Sequence, residues 1–107
     1  MERQLRILPG TIGSLPCEIA LNAILIRHHD AKLTRFVLRR YSYYKDGLVK
    51  LQAIKDVAFY KRMLQLWWNS NIKVVDDHKS RLPLEAYTHL KCCMSAQHRK
   101  AINGENL

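Results

Sequence analysis

Acidic residues and structure-breaking residues are scarce in this sequence. The chain of 107 residues contains nine Asp and Glu against 18 Lys and Arg, with four Gly and three Pro. Few breakers and 48% hydrophobic residues exclude a wholly disordered chain and predict one folded domain with its own core. The shortage of acid leaves a net charge of +9, which points to a polyanionic partner, with nucleic acid ahead of an anionic membrane surface.

Disulfide patterns and long apolar runs are also missing. The three cysteines are Cys17, Cys92 and Cys93, an odd number without a C-x-x-C pair, which is typical of a reducing compartment. The most apolar run, Ile19–Ile26, is too short to span a bilayer and lacks a signal cleavage site. We therefore expect a cytoplasmic or nuclear protein without a membrane partner.

No group of residues predicts a metal site or an active site. His89 and Cys93 have a spacing that allows contact with one ion, but a structural zinc needs four ligands and no recognised spacing supplies them. No feature pairs a nucleophile with a base, and the carboxylates are scattered. We expect no enzyme activity, no metal or cofactor, and no small-molecule substrate.

Apolar residues recur at helical spacing along most of the chain, which predicts a mostly α fold. The predicted helices are Glu18–His29, Ala31–Tyr44, Leu48–Ile54, Val57–Trp68 and Leu84–Ala101. Asp30 and Asp56 are the predicted N-caps of two of them, because their carboxylates can accept backbone N–H groups. Residues 17–102 then form one helical domain, after an extended lead-in (Met1–Pro16) and before a frayed tail (Asn103–Leu107).

Polar and glycine-containing segments predict where these helices end. Asp46-Gly47 predicts a turn, and Asn69–Asn71 predicts a helix stop. Ile72–Val75 predicts a short strand, with Arg81-Leu82 as its return.

The order of a helix, a turn, a capped helix, a short strand and a polar tip resembles the winged helix-turn-helix domain over about residues 31–84. The resemblance implies one short β-hairpin, a recognition helix at Val57–Trp68 and a wing at Asp76–Lys79. One arc of that helix carries Arg62 and Gln65, which suit base edges, and Lys61, which suits phosphate, with Lys55 beside it.

Positive charge is concentrated in residues 27–62, which hold ten basic and three acidic side chains. The predicted helix Ala31–Tyr44 places several basic residues on its outer face, where they could contact phosphate, although a plain solvated face is the alternative. The predicted nucleic-acid-binding residues are Lys32, Arg35, Arg39, Lys55, Lys61, Arg62 and Gln65.

Two apolar features predict self-association. Ile24 and Leu25 lie in a helix that is apolar over most of its circumference, and the adjacent Trp67 and Trp68 cannot both face inward on a helix. We expect these four residues to form a homodimer interface, with burial of Ile24 and Leu25 in the core as the alternative.

The sequence favours a small DNA-binding transcriptional or mobile-element regulator that prefers duplex DNA to RNA. One alternative is an adaptor or inhibitor whose basic face binds an acidic protein. Another is a shape-specific binder of double-stranded RNA that uses the basic helix from Lys32 to Tyr43 and needs no recognition helix.

Overall fold

The computed structural model describes residues 15–107, and every regular element in that range is a helix. The elements are α1 (Leu15–His28), α2 (Ala31–Leu51), α3 (Val57–Asp77), a short 3₁₀ helix (Lys79–Arg81) and α4 (Leu84–Ile102). Helix α4 is central, because it packs against α1, α2 and α3, while α2 also packs along α3. The predicted mostly α class is confirmed. Residues 1–14 of the predicted lead-in (Met1–Pro16) lie outside the described residues.

Both predicted N-caps are confirmed. The carboxylate of Asp30 accepts a hydrogen bond from the backbone N–H of Leu33 at 3.0 Å. The carboxylate of Asp56 accepts one from the N–H of Phe59, also at 3.0 Å. Each satisfies a donor that the first turn of a helix leaves unpaired, so α2 and α3 begin where the sequence predicts.

The core follows the predicted apolar stripe of α2. Its buried residues recur at three- and four-residue spacing and are Leu33, Val37, Tyr41, Tyr44 and Leu48. Residues Leu21, Leu25, Leu64, Val75, Leu90 and Met94 of the other helices pack into the same cluster. Burial of this apolar surface is the main force that holds α1, α2 and α3 around α4.

The predicted turn at Asp46-Gly47 is wrong, because α2 continues without interruption to Leu51. Gly47 lies against the indole ring of Trp67, and a Cβ at this position would overlap that ring. The glycine therefore allows α2 and α3 to approach closely, because it has no side chain to separate them.

The predicted helix stop at Asn69–Asn71 and the predicted strand at Ile72–Val75 are also wrong, because α3 runs through both to Asp77. The buried amide of Asn71 donates to the backbone oxygen of Trp67, one turn earlier, at 2.8 Å. This bond satisfies the polar group inside the helix. The predicted wing (Asp76–Lys79) forms the end of α3 and the start of the 3₁₀ helix, and residues 15–107 contain no strand.

Helices α2 and α3 form an antiparallel hairpin. Phe36, near the start of α2, stacks on His78, just beyond α3, with ring centroids 4.5 Å apart. Gly47, near the end of α2, lies against Trp67 in the middle of α3. In a helix-turn-helix the two helices instead cross at about 90–120°. The winged helix-turn-helix prediction is therefore not supported.

The segment Asn103–Leu107, which the sequence predicts to be frayed, contacts the helices around it. Gly104 adopts a φ of +73°, and the N–H of Glu105 donates to the oxygen of Lys100 at 2.9 Å. These features close the C-terminus of α4 in the manner of a glycine cap. Gln52, after α2, also donates its side-chain amide to the oxygen of Glu105 at 3.0 Å.

A buried carboxylate links α1 to α2. Glu18 is 1% exposed, and the hydroxyl of Tyr41 donates to its Oε2 at 2.7 Å. The ammonium of Lys45 lies 3.7 Å from the same oxygen. Burial, followed by this bond to Glu18, raises the pKa of Tyr41 above its ordinary value of 10.0.

We expect the stability of the protein to fall as the pH rises above about 10, because buried tyrosines must stay neutral in the fold. Burial also raises the pKa of Tyr44, and burial likewise raises that of the Cys93 thiol above its ordinary value of 9.0. In each case the folded pKa lies above the unfolded one, so the stabilisation is complete below the unfolded pKa and is lost at higher pH. The slope approaches about 1.4 kcal/mol per pH unit for each fully ionised group in the unfolded chain.

Urea unfolding at a series of alkaline pH values measures this effect. The variant Tyr41→Phe should show a shallower decline than the unmodified protein. A free energy of unfolding that stays constant from neutral pH to about pH 11 would contradict the proposed role of these buried groups.

Candidate nucleic-acid interface

A groove between α2 and the C-terminal end of α3 is lined mainly by basic side chains. It encloses about 370 Å³, and its lining residues are Lys32, Arg35, Phe36, Arg39, Arg40, Val74 and His78. We call it the α2–α3 groove. Arg35, Arg39 and Arg40 follow Lys32 by three, seven and eight positions. Residues at these spacings lie close together on a helix surface, so the four basic side chains share one side of α2.

Within residues 15–107, the basic residues of the α2–α3 groove are not neutralised by nearby acid. None of them forms an ion pair with a carboxylate of residues 15–107. The ion pairs between carboxylates and Lys or Arg in that range lie elsewhere and are Arg27–Glu85, Lys45–Glu18, Lys73–Asp77 and Lys91–Asp76. The positive charge of these four groove residues on α2 therefore gives the groove a local positive potential, which attracts anions.

Arg40 is held at the inner side of the groove. One guanidinium nitrogen, Nη1, lies 3.4 Å from Oδ1 of Asn71 on α3. The guanidinium carbon also lies 5.3 Å from the centre of the Tyr43 ring, within the range of a cation–π interaction. The sequence prediction did not include Arg40 among the binding residues. Its position on the apolar side of α2 nevertheless indicates that the guanidinium must reach solvent or find a partner.

His78 and Phe36 form the aromatic end of the groove. Nδ1 of His78 donates to the backbone oxygen of Val74 at 2.8 Å, so this ring nitrogen carries the proton. The sequence prediction missed His78 because it assigned the residue to a wing. No local signal places it beside Phe36, since the contact depends on α3 extending to Asp77.

An exposed aromatic ring lies next to the groove along the same helix pair. Tyr43 is 55% exposed, and its ring centre lies 5.2 Å from that of Trp67. Trp67 is itself fixed by a hydrogen bond from its indole nitrogen to the oxygen of Tyr44 at 3.0 Å. The Tyr43 ring is thus held by contacts with Trp67 and Arg40 while more than half of its surface stays exposed beside the groove.

The other predicted nucleic-acid-binding residues do not join the groove. Lys55, Lys61, Arg62 and Gln65 are all exposed. Gln65 and Val74 are nine residues apart, which at about 100° per residue places them on opposite sides of α3. The amide nitrogen of Gln65 donates to Asn69 at 2.9 Å, and Arg62 stacks over the Phe59 ring. The structure thus brings Lys32, Arg35 and Arg39 together and separates them from the predicted recognition face.

The predicted interface residues are packed within the chain. Ile24 and Leu25 are 4% and 2% exposed and belong to the core. Trp68 lies between helices, with its ring centre 5.1 Å from that of His98 and 6.0 Å from that of Tyr44. Part of the apolar surface that motivated the homodimer prediction is therefore used inside the protein, while two other isoleucines of α1 stay more than half exposed. Helical spacing alone does not distinguish a core face from an interface.

The remaining histidines and cysteines do not assemble into a metal site within the described part of the chain. No three His, Cys, Asp or Glu side chains of residues 15–107 are placed to hold an ion together. Nδ1 of His89 donates to the oxygen of Glu85 at 2.9 Å, and Cys93 is fully buried. Over the same range, no helix is both long and apolar enough to cross a membrane.

Comparison with protein-family models, curated proteins and solved structures finds no match to this chain. The function must therefore be argued from the geometry and charge of the site itself.

Proposed function

We propose that the protein binds duplex nucleic acid through the phosphate backbone, with the α2–α3 groove as the primary contact. The observation that carries this proposal is that four basic side chains line one groove without an ion pair to any carboxylate of residues 15–107. Guanidinium groups suit this role because their planar donors match two phosphate oxygens at once.

The length of the basic face supports a polymeric ligand. Lys32 and Lys50 both lie on the exposed side of α2, about 27 Å apart at the helical rise per residue. Over that length duplex DNA presents about 16 phosphate charges, so several basic side chains can engage at the same time.

Weak base discrimination follows from the same geometry. The residues that suit base edges, Arg62 and Gln65, lie away from the groove, and α2 and α3 form a hairpin in place of a helix-turn-helix. Contacts to phosphate position a protein on a duplex without reading its sequence. We therefore propose binding by charge and shape, which duplex DNA and duplex RNA can both satisfy.

The affinity for duplex DNA is expected to fall steeply with salt, because phosphate contacts release counterions. Engagement of about four phosphates gives a slope of roughly −3.6 in a plot of log binding constant against log salt concentration. Fluorescence anisotropy with labelled duplex DNA, duplex RNA and single strands of equal length, from about 50 to 200 mM salt, measures this slope.

Two controls make the titration decisive. A duplex of shuffled sequence should bind within about threefold of the first, since each mismatched base of a sequence-specific site costs about 1–3 kcal/mol. Poly-glutamate of similar length represents an acidic protein partner. Tight binding to poly-glutamate together with no binding to any nucleic acid at low salt would replace the proposal with the adaptor alternative.

A further inference from the structure

Two cysteine side chains from different helices meet at the surface between α1 and α4. The sulfur atoms of Cys17 and Cys92 lie 2.9 Å apart, although the residues are 75 positions apart in sequence. A disulfide bond is about 2.0 Å long, so a further approach of about 0.9 Å would bring the sulfurs to bonding distance. The fold thus brings two distant thiols together.

The two sulfurs differ in exposure. Cys92 is exposed and Cys17 is half-buried. The hydrogen bond with Cys92, followed by burial, raises the pKa of the Cys17 thiol to about 11, against an opposing effect of the positive charge on Arg99. Cys17 therefore keeps its proton at neutral pH, and the exposed Cys92 sulfur is the one that a dissolved oxidant meets first.

We propose that Cys17 and Cys92 form an oxidation site that reacts with hydrogen peroxide and closes to a reversible disulfide between α1 and α4. First, the Cys92 thiolate attacks one peroxide oxygen, the O–O bond breaks, and Cys92 becomes a sulfenic acid while the other oxygen leaves as water after protonation. Second, the Cys17 sulfur attacks the Cys92 sulfur, the S–O bond breaks, and the hydroxyl leaves as water with the Cys17 proton. Two thiols are oxidised and hydrogen peroxide is reduced to two waters.

The third cysteine provides a matched control. Cys93 is adjacent to Cys92 but is fully buried on the inner side of α4. Neighbouring residues on a helix face different directions, so Cys92 and Cys93 are poorly placed to bond to each other. The proposed disulfide is therefore specific to one of two adjacent cysteines.

The full chain, fully reduced and then treated with a small excess of hydrogen peroxide, tests the site. Mass spectrometry is performed on the intact protein, and again after free thiols are blocked and the protein is digested with trypsin without reductant. We expect a monomer lighter by two hydrogen atoms and a cross-link between peptides 7–27 and 92–99, both reversed by dithiothreitol. The cross-link should persist in Cys93→Ala and disappear in Cys17→Ser and Cys92→Ser.

Thermal unfolding gives an independent readout. Because the cross-link closes a long loop in the unfolded chain, the oxidised protein should melt higher than the reduced protein by roughly 10 °C, and Cys92→Ser should show no such shift. A disulfide between Cys92 and Cys93, a disulfide between two chains, or over-oxidation of Cys92 without a cross-link would each overturn the proposal. None of these outcomes bears on nucleic-acid binding.

Discussion

Replacement of Gly47 by alanine is expected to destabilise the fold by about 2 kcal/mol, because inserting a methyl group into a packed interface forces its neighbours to shift. The added Cβ would overlap the indole ring of Trp67. That ring cannot move freely, since its nitrogen donates to the oxygen of Tyr44 and its face contacts Tyr43. At an ordinary position inside a helix, the same substitution would stabilise the protein by about 1 kcal/mol.

The cost should depend on the indole ring. In a Trp67→Phe background, which lacks the indole atoms closest to Gly47, Gly47→Ala is expected to become neutral or stabilising. Urea unfolding of the four proteins in this double-mutant cycle gives the coupling free energy directly. An equal cost of Gly47→Ala in both backgrounds would show that helix packing against Trp67 is not the reason for the glycine.

Gly47 also shows why the ends of the helices could not be predicted from sequence. The Asp46-Gly47 pair carries a local turn signal, but the contact that decides its conformation comes from Trp67, 20 positions later. The stop predicted at Asn69–Asn71 failed for a related reason, since the buried Asn71 amide bonds to its own helix and to Arg40 of α2. In both cases tertiary packing overrode a local preference.

Two features that depend on local pattern were predicted correctly. The Asp30 and Asp56 caps act within one helical turn, and the buried stripe of α2 follows from the spacing of its apolar residues. Both are properties of a single segment. For this reason the presence of helices at α1 and α4 and the starts of α2 and α3 could be predicted directly, whereas the full lengths of α2 and α3 and their pairing could not.

The candidate site likewise contains some residues that local pattern predicts and others that depend on tertiary packing. Lys32, Arg35 and Arg39 share one helix face, so their proximity is visible in the sequence. Val74 and His78 complete the groove only because α3 extends to Asp77 and lies antiparallel to α2. The assignment of a recognition face to α3 relied on a strand at Ile72–Val75, where α3 instead continues to Asp77.

Loss of two guanidinium groups from the α2–α3 groove is expected to weaken binding to duplex DNA by about 100-fold, about tenfold for each lost phosphate contact. The variant is the double substitution Arg35→Gln and Arg39→Gln. Both side chains are exposed and form no ion pair with residues 15–107, so folding should be unchanged. The slope of the salt dependence should become shallower by about 1.8.

The matched control removes the same charge from the opposite side of the hairpin. The double substitution Lys61→Gln and Arg62→Gln also lowers the net charge by two, at two exposed positions of α3. Because these positions lie away from the groove and salt screens distant charges, this variant should stay within about threefold of the unmodified protein.

The most direct test of the proposed function is the affinity of these two double variants for one labelled DNA duplex, measured side by side by fluorescence anisotropy at two salt concentrations. A large loss confined to Arg35→Gln/Arg39→Gln would agree with phosphate binding in the α2–α3 groove. Equal losses in both variants would contradict it in favour of a diffuse basic surface. A loss confined to Lys61→Gln/Arg62→Gln would instead place nucleic-acid binding on the outer face of α3.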